Sequence, residues 1–294
     1  MIMGDEIVKK NKYEIDMCNG SIMDKLISFS LPLMVSGILQ LAFNAVDIIV
    51  VGRFSGSQAL AAVGSTTALI NVFTNLFIGI SLGANVLAAR FYAAGKDREM
   101  SETVHTSITL AMVSGVIMAF VGVLFARGAL ELMGTPDDVI GQSALYMRIY
   151  FMGMPFFMLY NYGAAILRAI GDTKRPLIFL IISGIANAAL NMILVILFHM
   201  GVAGVAIGTI ISQLISCVLV LTCLYRSEGS YQLRFSKLKI NGAYMEQIFQ
   251  VGVPAGIQST VINLSNALLQ SSVNSFGSIA MAGYTAANNM LGFL

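Results

Sequence analysis

A single carboxylate interrupts a long apolar run near the start of the chain. Asp47 lies in the segment LQLAFNAVDIIVVGR, residues 39–53, where most other side chains are hydrocarbon. A charge at the centre of a membrane helix costs about 2.5–3.5 kcal/mol on insertion scales, so such a residue faces a protein interior or a wet cavity. Two interpretations are open. Asp47 either pairs with Arg53, which lies about 9 Å further along a helix, or it binds a proton or a cation.

Neutral polar residues recur at helical spacing in five apolar segments. Steps of three and four residues place side chains on one face of a helix, and we name each such row a polar seam. The seams are Ser36, Gln40, Asn44 and Asp47; Thr67, Asn71 and Asn75; Ser183, Asn187 and Asn191; Thr209, Gln213 and Ser216; and Ser259, Asn263, Asn266 and Gln270. Hydrogen bonds between helices use the same residue types and remain an alternative for any single seam. Five seams together favour a shared polar cavity, where the oxygens of Asn187 and Asn191 suit a hard cation such as Na⁺.

The composition is that of a membrane protein. Of 294 residues, 57% are hydrophobic and 11% are charged, whereas about a quarter of a soluble domain is charged. A helix needs about 20 apolar residues to cross the hydrocarbon core. We therefore predict an all-α, polytopic transmembrane helix bundle. The predicted spans are 27–51, 59–83, 104–126, 146–168, 176–198, 203–225 and 247–272, with an eighth that begins near residue 280.

Other function classes find little support in the sequence. There is no Walker A loop, no convincing nucleophile–base pair and no cluster of metal-ligand residues, so we expect no enzyme activity and no cofactor apart from a coupling ion. A basic patch interleaved with aromatic residues is also missing, which argues against a nucleic-acid partner. The expected partners are the lipid bilayer and small organic molecules, and we expect a monomer.

The positions of lysine and arginine predict the orientation in the membrane. Cytoplasmic loops carry an excess of these residues. With the N-terminus inside, 14 of the 17 basic residues fall on the cytoplasmic side, and only Arg53, Arg127 and Arg148 fall outside. We expect a multi-pass protein of the cell membrane with a cytoplasmic N-terminus.

Two segments of the chain resemble each other at a distance of 222 residues. At that offset Pro32 aligns with Pro254, Asn44 with Asn266, and the segment-ending Phe54 with Phe276. Repeated halves are common in transporters, with the site at their interface. We therefore expect a six-span lobe followed by an incomplete second copy. The predicted divisions are 1–26, a cytoplasmic segment; 27–226, the first lobe; 227–246, a cytoplasmic linker; and 247–294, the start of the second lobe.

Several motifs resemble those of the multidrug and toxic compound extrusion (MATE) family. They are VDIIVVGRFSGSQALAAVG from residue 46, SLGANVLAARFYAAGKD from residue 81, LRAIGDTKRPL from residue 167, NAALNMILV from residue 187 and GVAGVAIGTIISQ from residue 201. The stretch from Arg168 to Pro176 is the most specific. The resemblance covers about residues 25–294 and implies twelve spans in two lobes, of which this chain holds the first lobe and the start of the second.

The resemblance also implies a function and a site. Family members export organic, often cationic compounds in exchange for Na⁺ or H⁺, and one branch couples transport through positions that match Asp47, Asn187 and Asn191. Relatives with a well-formed Na⁺ site carry a second carboxylate where this chain has Asn191, so H⁺ and Na⁺ both stay open. We add Thr209 to the ion-coupling set. The predicted substrate cavity comprises Gln40, Asn44, Asn71, Asn75, Gln213, Asn263 and Asn266.

A lipid-linked precursor flippase of the same superfamily is the alternative transporter. A cavity for polyanionic lipids would be expected to carry several Arg or Lys residues, and the seams contain none. A membrane-embedded enzyme would need a catalytic constellation, and a purely structural protein would not need five seams. The favoured function is therefore a secondary active multidrug efflux antiporter.

Overall fold

A computed structural model describes residues 21–291, apart from the side chain of residue 289. Most of the predicted N-terminal segment 1–26, and the last three residues of the predicted second lobe, lie outside the described residues. The helices are α1 Ile22–Phe54, α2 Gly56–Ala93, α3 Asp97–Leu132, α4 Asp137–Met152, α5 Met154–Ala169, α6 Lys174–Met192, α7 Gly201–Arg226, α8 Gly242–Asn274 and α9 Ser278–Leu291. A π-helical turn, Ile193–Leu197, extends α6, and a 3-10 turn, Phe235–Lys237, lies between α7 and α8. All regular structure in the described part of the chain is helical, as predicted.

Five of these helices are long and apolar enough to cross a membrane. They are α1, α2, α3, α6 with its π turn, and α7. Helix α8 has 33 residues, but its seam of Ser, Asn and Gln side chains lowers its hydropathy. The predicted spans on α1, α2, α3, α6 and α7 therefore agree with the fold. The span on α8 stays a prediction, and the fourth span needs a correction.

The fourth predicted span, 146–168, is not one continuous helix. It is divided at Gly153 into α4 and α5, each of 16 residues. Pro155 causes the break, because proline has no N–H to donate to the preceding turn and fits the first turn of a new helix. The N–H of Gly153 still bonds to the carbonyl oxygen of Tyr150 at 3.0 Å.

The predicted connections 93–103 and 127–145 are mostly helical, which sequence hydropathy did not indicate. Helix α3 begins at Asp97 and ends at Leu132, beyond both ends of its apolar run. Ion pairs four residues apart, Arg98–Glu102 at 3.1 Å and Arg127–Glu131 at 2.9 Å, support these polar ends. Hydropathy marks the apolar part of α3, and its polar end turns continue the same helix.

Helix α2 is central to the bundle and contacts α1, α3, α4, α5, α7, α8 and α9. Methionine and aromatic side chains of α4 and α5 fill the space beside it, and Phe151, Met154, Met158 and Tyr162 are fully buried. Unbranched methionines suit the irregular gaps that a broken helix leaves.

Glycines allow α2 and α8 to approach backbone to backbone. A Cβ atom added to Gly83 would overlap the carbonyl oxygen of Ile248, and one added to Gly252 would lie 2.5 Å from the Cα of Ile80. Small residues are the usual means of close helix packing in lipid, where the hydrophobic effect gives little help. This contact joins the start of the second repeat to the first lobe.

The two segments of the repeat share their backbone features. Helices α1 and α8 both have 33 residues and contain Pro32 and Pro254 within them. Each is followed by a turn glycine with a left-handed backbone, Gly56 at φ 88° and Gly277 at φ 89°. Matching prolines and matching turns agree with a duplicated helix pair.

We expect Gly252→Ala to destabilise the α2–α8 contact. The added carbon meets backbone atoms of α2 that cannot rotate away, and overpacking of this kind costs about 1–3 kcal/mol. Gly128→Ala is the matched control, because its added carbon meets nothing within 4 Å. Thermal unfolding in detergent should show a lower midpoint for Gly252→Ala alone; equal midpoints for the two variants would contradict the close contact.

Candidate functional site

A cavity of about 440 Å³ opens between α1, α2, α4, α5, α6 and α7. Four of the five polar seams face it, together with side chains from α4 and α5. The predicted site residues along its wall are Gln40, Asn44, Asp47, Asn71, Asn75, Asn187, Thr209 and Gln213. The structure thus brings together residues that are far apart in the sequence but were assigned to one site.

Asp47 is held by an amide from α6. The side-chain nitrogen of Asn191 donates to a carboxylate oxygen of Asp47 at 2.5 Å, and lies 3.4 Å from the side-chain oxygen of Asn187. Asn191 is fully buried, directly behind the cavity wall. Among the ion pairs of residues 21–291, none joins Asp47 to Arg53, which is exposed at the end of α1. The ion-pair interpretation of Asp47 therefore finds no support.

Gly208 of α7 makes room for Asn191. A Cβ atom at position 208 would overlap the side-chain oxygen of Asn191. That oxygen is buried and receives no hydrogen bond from the described residues. A buried acceptor without a donor is costly. A protonated group that donates a hydrogen bond, or a cation, would therefore be stabilised beside this oxygen.

The hydroxyl of Thr209 lines the same cavity. It donates to the backbone carbonyl of Val205 at 2.9 Å, so its lone pairs remain available to another group. Asp47, Asn187 and Thr209 line this cavity together, and their oxygens are of the kind that hard cations prefer, whereas the side-chain oxygen of Asn191 faces Gly208. Directly after Asn191 the helix widens into the π turn Ile193–Leu197, and such turns are frequent at functional sites.

Aromatic side chains form a wall of the cavity that the sequence analysis did not assign. Tyr146 and Tyr150 of α4 have ring centroids 6.1 Å apart, and Phe157, Tyr160 and the amide Asn161 follow on α5. The spacing of four residues in both pairs, 146/150 and 157/161, was a usable signal. The signal is weak, because aromatic residues at this spacing are equally common in ordinary cores.

A second cavity of about 260 Å³ shares Asp47 with the first. Its far wall comes from the start of the second repeat, with Gln270 of α8 and Tyr284, Thr285 and Asn288 of α9. Asp47 therefore faces both the first lobe and the residues that follow the linker.

Asn263 and Asn266 do not line either of these cavities, and their assignment to the substrate site stays a prediction. The Asn263 amide donates to the carbonyl of Ser259 in its own helix at 2.8 Å, and Asn266 is exposed. Periodicity identified residues on one face of α8 but could not identify what that face meets.

Comparison with known proteins agrees with the MATE resemblance. The protein-family model described as MatE matches residues 32–193 of this chain. YoeA, a probable multidrug resistance protein of Bacillus subtilis (strain 168), is 33% identical over 283 residues, which cover 93% of this chain and 61% of that protein. The multidrug export protein MepA of Staphylococcus saprophyticus is 24% identical over 265 residues, covering 90% of this chain and 58% of that protein.

A solved structure has the same fold. The MATE multidrug transporter DinF-BH, solved as a complex, superposes with a TM-score of 0.86 at 22% identity, over 96% of this chain and 63% of that one. The chain spans about 61% of the length of YoeA. Because the family model matches more than half of its residues, this chain belongs to the MatE family of multidrug and toxic compound extrusion transporters.

Proposed function

We propose that the full protein containing this chain is a secondary active efflux antiporter. It exports bulky organic compounds, often cationic, in exchange for H⁺ or Na⁺ across the cell membrane, with its N-terminus in the cytoplasm. The observation that carries the proposal is Asp47, a carboxylate at membrane depth that faces a cavity and has an amide rather than a cation as its partner. The multidrug resistance and export proteins among its relatives support the same function.

The cavity wall suits amphipathic cations of varied shape. Asp47 supplies one negative charge, and the faces of Tyr146 and Tyr150 attract cations through their ring quadrupoles. Amide side chains in the wall offer both hydrogen-bond donors and acceptors. They are Gln40, Asn44, Asn71, Asn75, Asn161 and Gln213. One charge, aromatic faces and adaptable amides together impose little shape selection, so broad specificity follows.

The amide of Asn191 can serve two states of Asp47. When Asp47 is charged, the NH₂ group of Asn191 donates to it. When Asp47 binds a proton it becomes a donor itself, and the unpaired side-chain oxygen of Asn191 can accept after the amide turns over. With Na⁺ the same oxygen becomes a ligand. Each change alters how α1 meets α6, and it thereby links ion binding to helix packing.

A flippase for lipid-linked precursors is the less favoured alternative. Neither of the two cavities described above has a lysine or arginine in its wall. Polyphosphate groups would need such side chains for binding.

We expect Asp47→Asn in the full-length protein to abolish gradient-driven dye efflux while folding and membrane level stay normal. The substitution keeps the size of the side chain but removes the group that takes up the ion. Efflux should fall to the level of cells that lack the protein. Arg53→Ala is the matched control and should retain efflux. Unchanged efflux in Asp47→Asn would refute the coupling role, and equal loss in both variants would restore the ion-pair interpretation.

Asn191→Asp tests which ion is used. A second carboxylate beside Asp47 repels it unless a cation lies between them, so the Na⁺ concentration for half-maximal efflux should fall by about tenfold. Efflux by membrane vesicles is measured against Na⁺ at fixed pH. If the efflux of neither protein responds to Na⁺ while a protonophore stops both, Na⁺ coupling is rejected.

Gly208→Ala tests the positioning of Asn191. The added carbon displaces the Asn191 side chain from Asp47, so we expect a severalfold higher ion concentration for half-maximal efflux. Gly141→Ala should leave this value unchanged, because its added carbon meets nothing within 4 Å. A loss of protein level without any shift in the ion requirement would mean that Gly208 serves packing only.

A further inference from the structure

A separate cleft lies between the start of α3 and the linker that precedes α8. Its volume is about 840 Å³, and its lining residues come from 98–106 on one side and 237–242 on the other. In the proposed orientation this is the cytoplasmic end of the bundle. The uncharged stretch of α3 begins directly after Glu102, so the cleft lies at the level where the chain enters the hydrocarbon region.

Hydrogen bonds hold the linker firmly against α3. The backbone N–H of Arg234 donates to Nε2 of His105 at 3.1 Å, and the N–H of Asn241 donates to the hydroxyl of Thr106 at 3.2 Å. The side chain of Asn241 also donates to Glu102 at 2.8 Å. These bonds between two distant segments fix the shape of the cleft.

The cleft carries an excess of positive charge. Arg98, Lys237 and Lys239 line it, against the single carboxylate Glu102. Glu102 is already engaged by the Nε of Arg98 and by the Asn241 amide. Neither lysine forms an ion pair with any residue in the described part of the chain. The cleft lining therefore carries more positive than negative charge, and its one carboxylate is already bonded.

Apolar residues alternate with the basic ones along the linker. Phe235, Leu238 and Ile240 are exposed by 55%, 38% and 37%. A soluble loop seldom exposes three large hydrophobic side chains in six residues. The combination of apolar and cationic side chains is typical of a segment that lies in the headgroup region of an anionic membrane leaflet.

We propose that this cleft binds the phosphate headgroup of an anionic phospholipid from the cytoplasmic leaflet. Arg98, Lys237 and Lys239 hold the phosphate, Ser101 and Thr106 face the headgroup, and Phe235, Leu238 and Ile240 meet the acyl chains. The inference rests on the orientation given in the proposed function, but on no residue of the ion-coupling site. The group recognised is a phosphate diester whose negative charge is not offset within the headgroup, since a basic pocket at the end of membrane helices attracts anionic lipid.

The test compares lipid binding by native mass spectrometry of the full-length protein. Dioleoyl phosphatidylglycerol and dioleoyl phosphatidylcholine have the same acyl chains, so they differ only in the headgroup. We expect the anionic lipid to be retained in preference, and the double variant Lys237→Gln/Lys239→Gln to weaken its binding by about tenfold. Binding of phosphatidylcholine should not change, which shows that the variant is folded.

The matched control is Lys96→Gln/Lys174→Gln, which removes two exposed lysines from the same end of the bundle but outside the cleft. It should keep the preference for phosphatidylglycerol. The proposal is overturned if the two double variants behave alike, or if the unmodified protein binds both lipids equally. Displacement of the lipid by millimolar inorganic phosphate would instead assign the cleft to a free anion. None of these readouts depends on transport, so a failed efflux experiment leaves the result intact.

Discussion

Hydrocarbon offers no hydrogen bonds, and this constraint determines where the polar residues of the bundle lie. Serine and threonine satisfy it locally, because their hydroxyls donate to the preceding turn of their own helix, as Ser36 does to Pro32 and Thr74 to Ile70. Amides and carboxylates have more hydrogen-bonding groups than one turn of their own helix can provide partners for. They therefore gather where several helices meet. The cavity around Asp47 is the place where these requirements are met together, and a polar cavity results from the same physics that folds the bundle.

Close backbone approach is the second requirement. Without side chains on Gly83 and Gly252, α2 and α8 meet directly, and without one on Gly208 the amide of Asn191 reaches Asp47. In both places a single methyl group would separate partners that the fold joins. The glycines that let α2 and α8 meet are thus of the same kind as the glycine that makes room for Asn191 beside the proposed ion site.

The sequence predicted the helical class, a multi-pass membrane protein and about half of the cavity wall, because helical periodicity and the cost of burying polar groups act locally. It did not predict the break at Gly153, since a proline in an apolar run is compatible with a kink or with a helix start. The aromatic wall of Tyr146 and Tyr150 was missed because aromatic residues are equally common in ordinary cores. The assignment of Asn263 and Asn266 stays a prediction, because periodicity identifies a helix face but packing at long range decides what that face meets.

The hydrogen bonds between the linker and α3 have a mechanical consequence. A free linker of this length would have an end-to-end distance of roughly 20 Å, and it would leave the position of α8 relative to α7 loosely determined. Here the backbone N–H of Asn241 donates to the hydroxyl of Thr106. The Asn241 side chain also caps α8, because its oxygen accepts from the N–H of Ala243 at 3.1 Å. The start of α8 is therefore fixed, and near its far end Ser271 and Asn274 both donate to the carbonyl oxygen of Met133 at 3.1 Å. Because α8 has 33 residues and is about 50 Å long, a tilt of about 10° about its start would move the far end by roughly 9 Å, so α8 can tilt away from α3 only after these two bonds break.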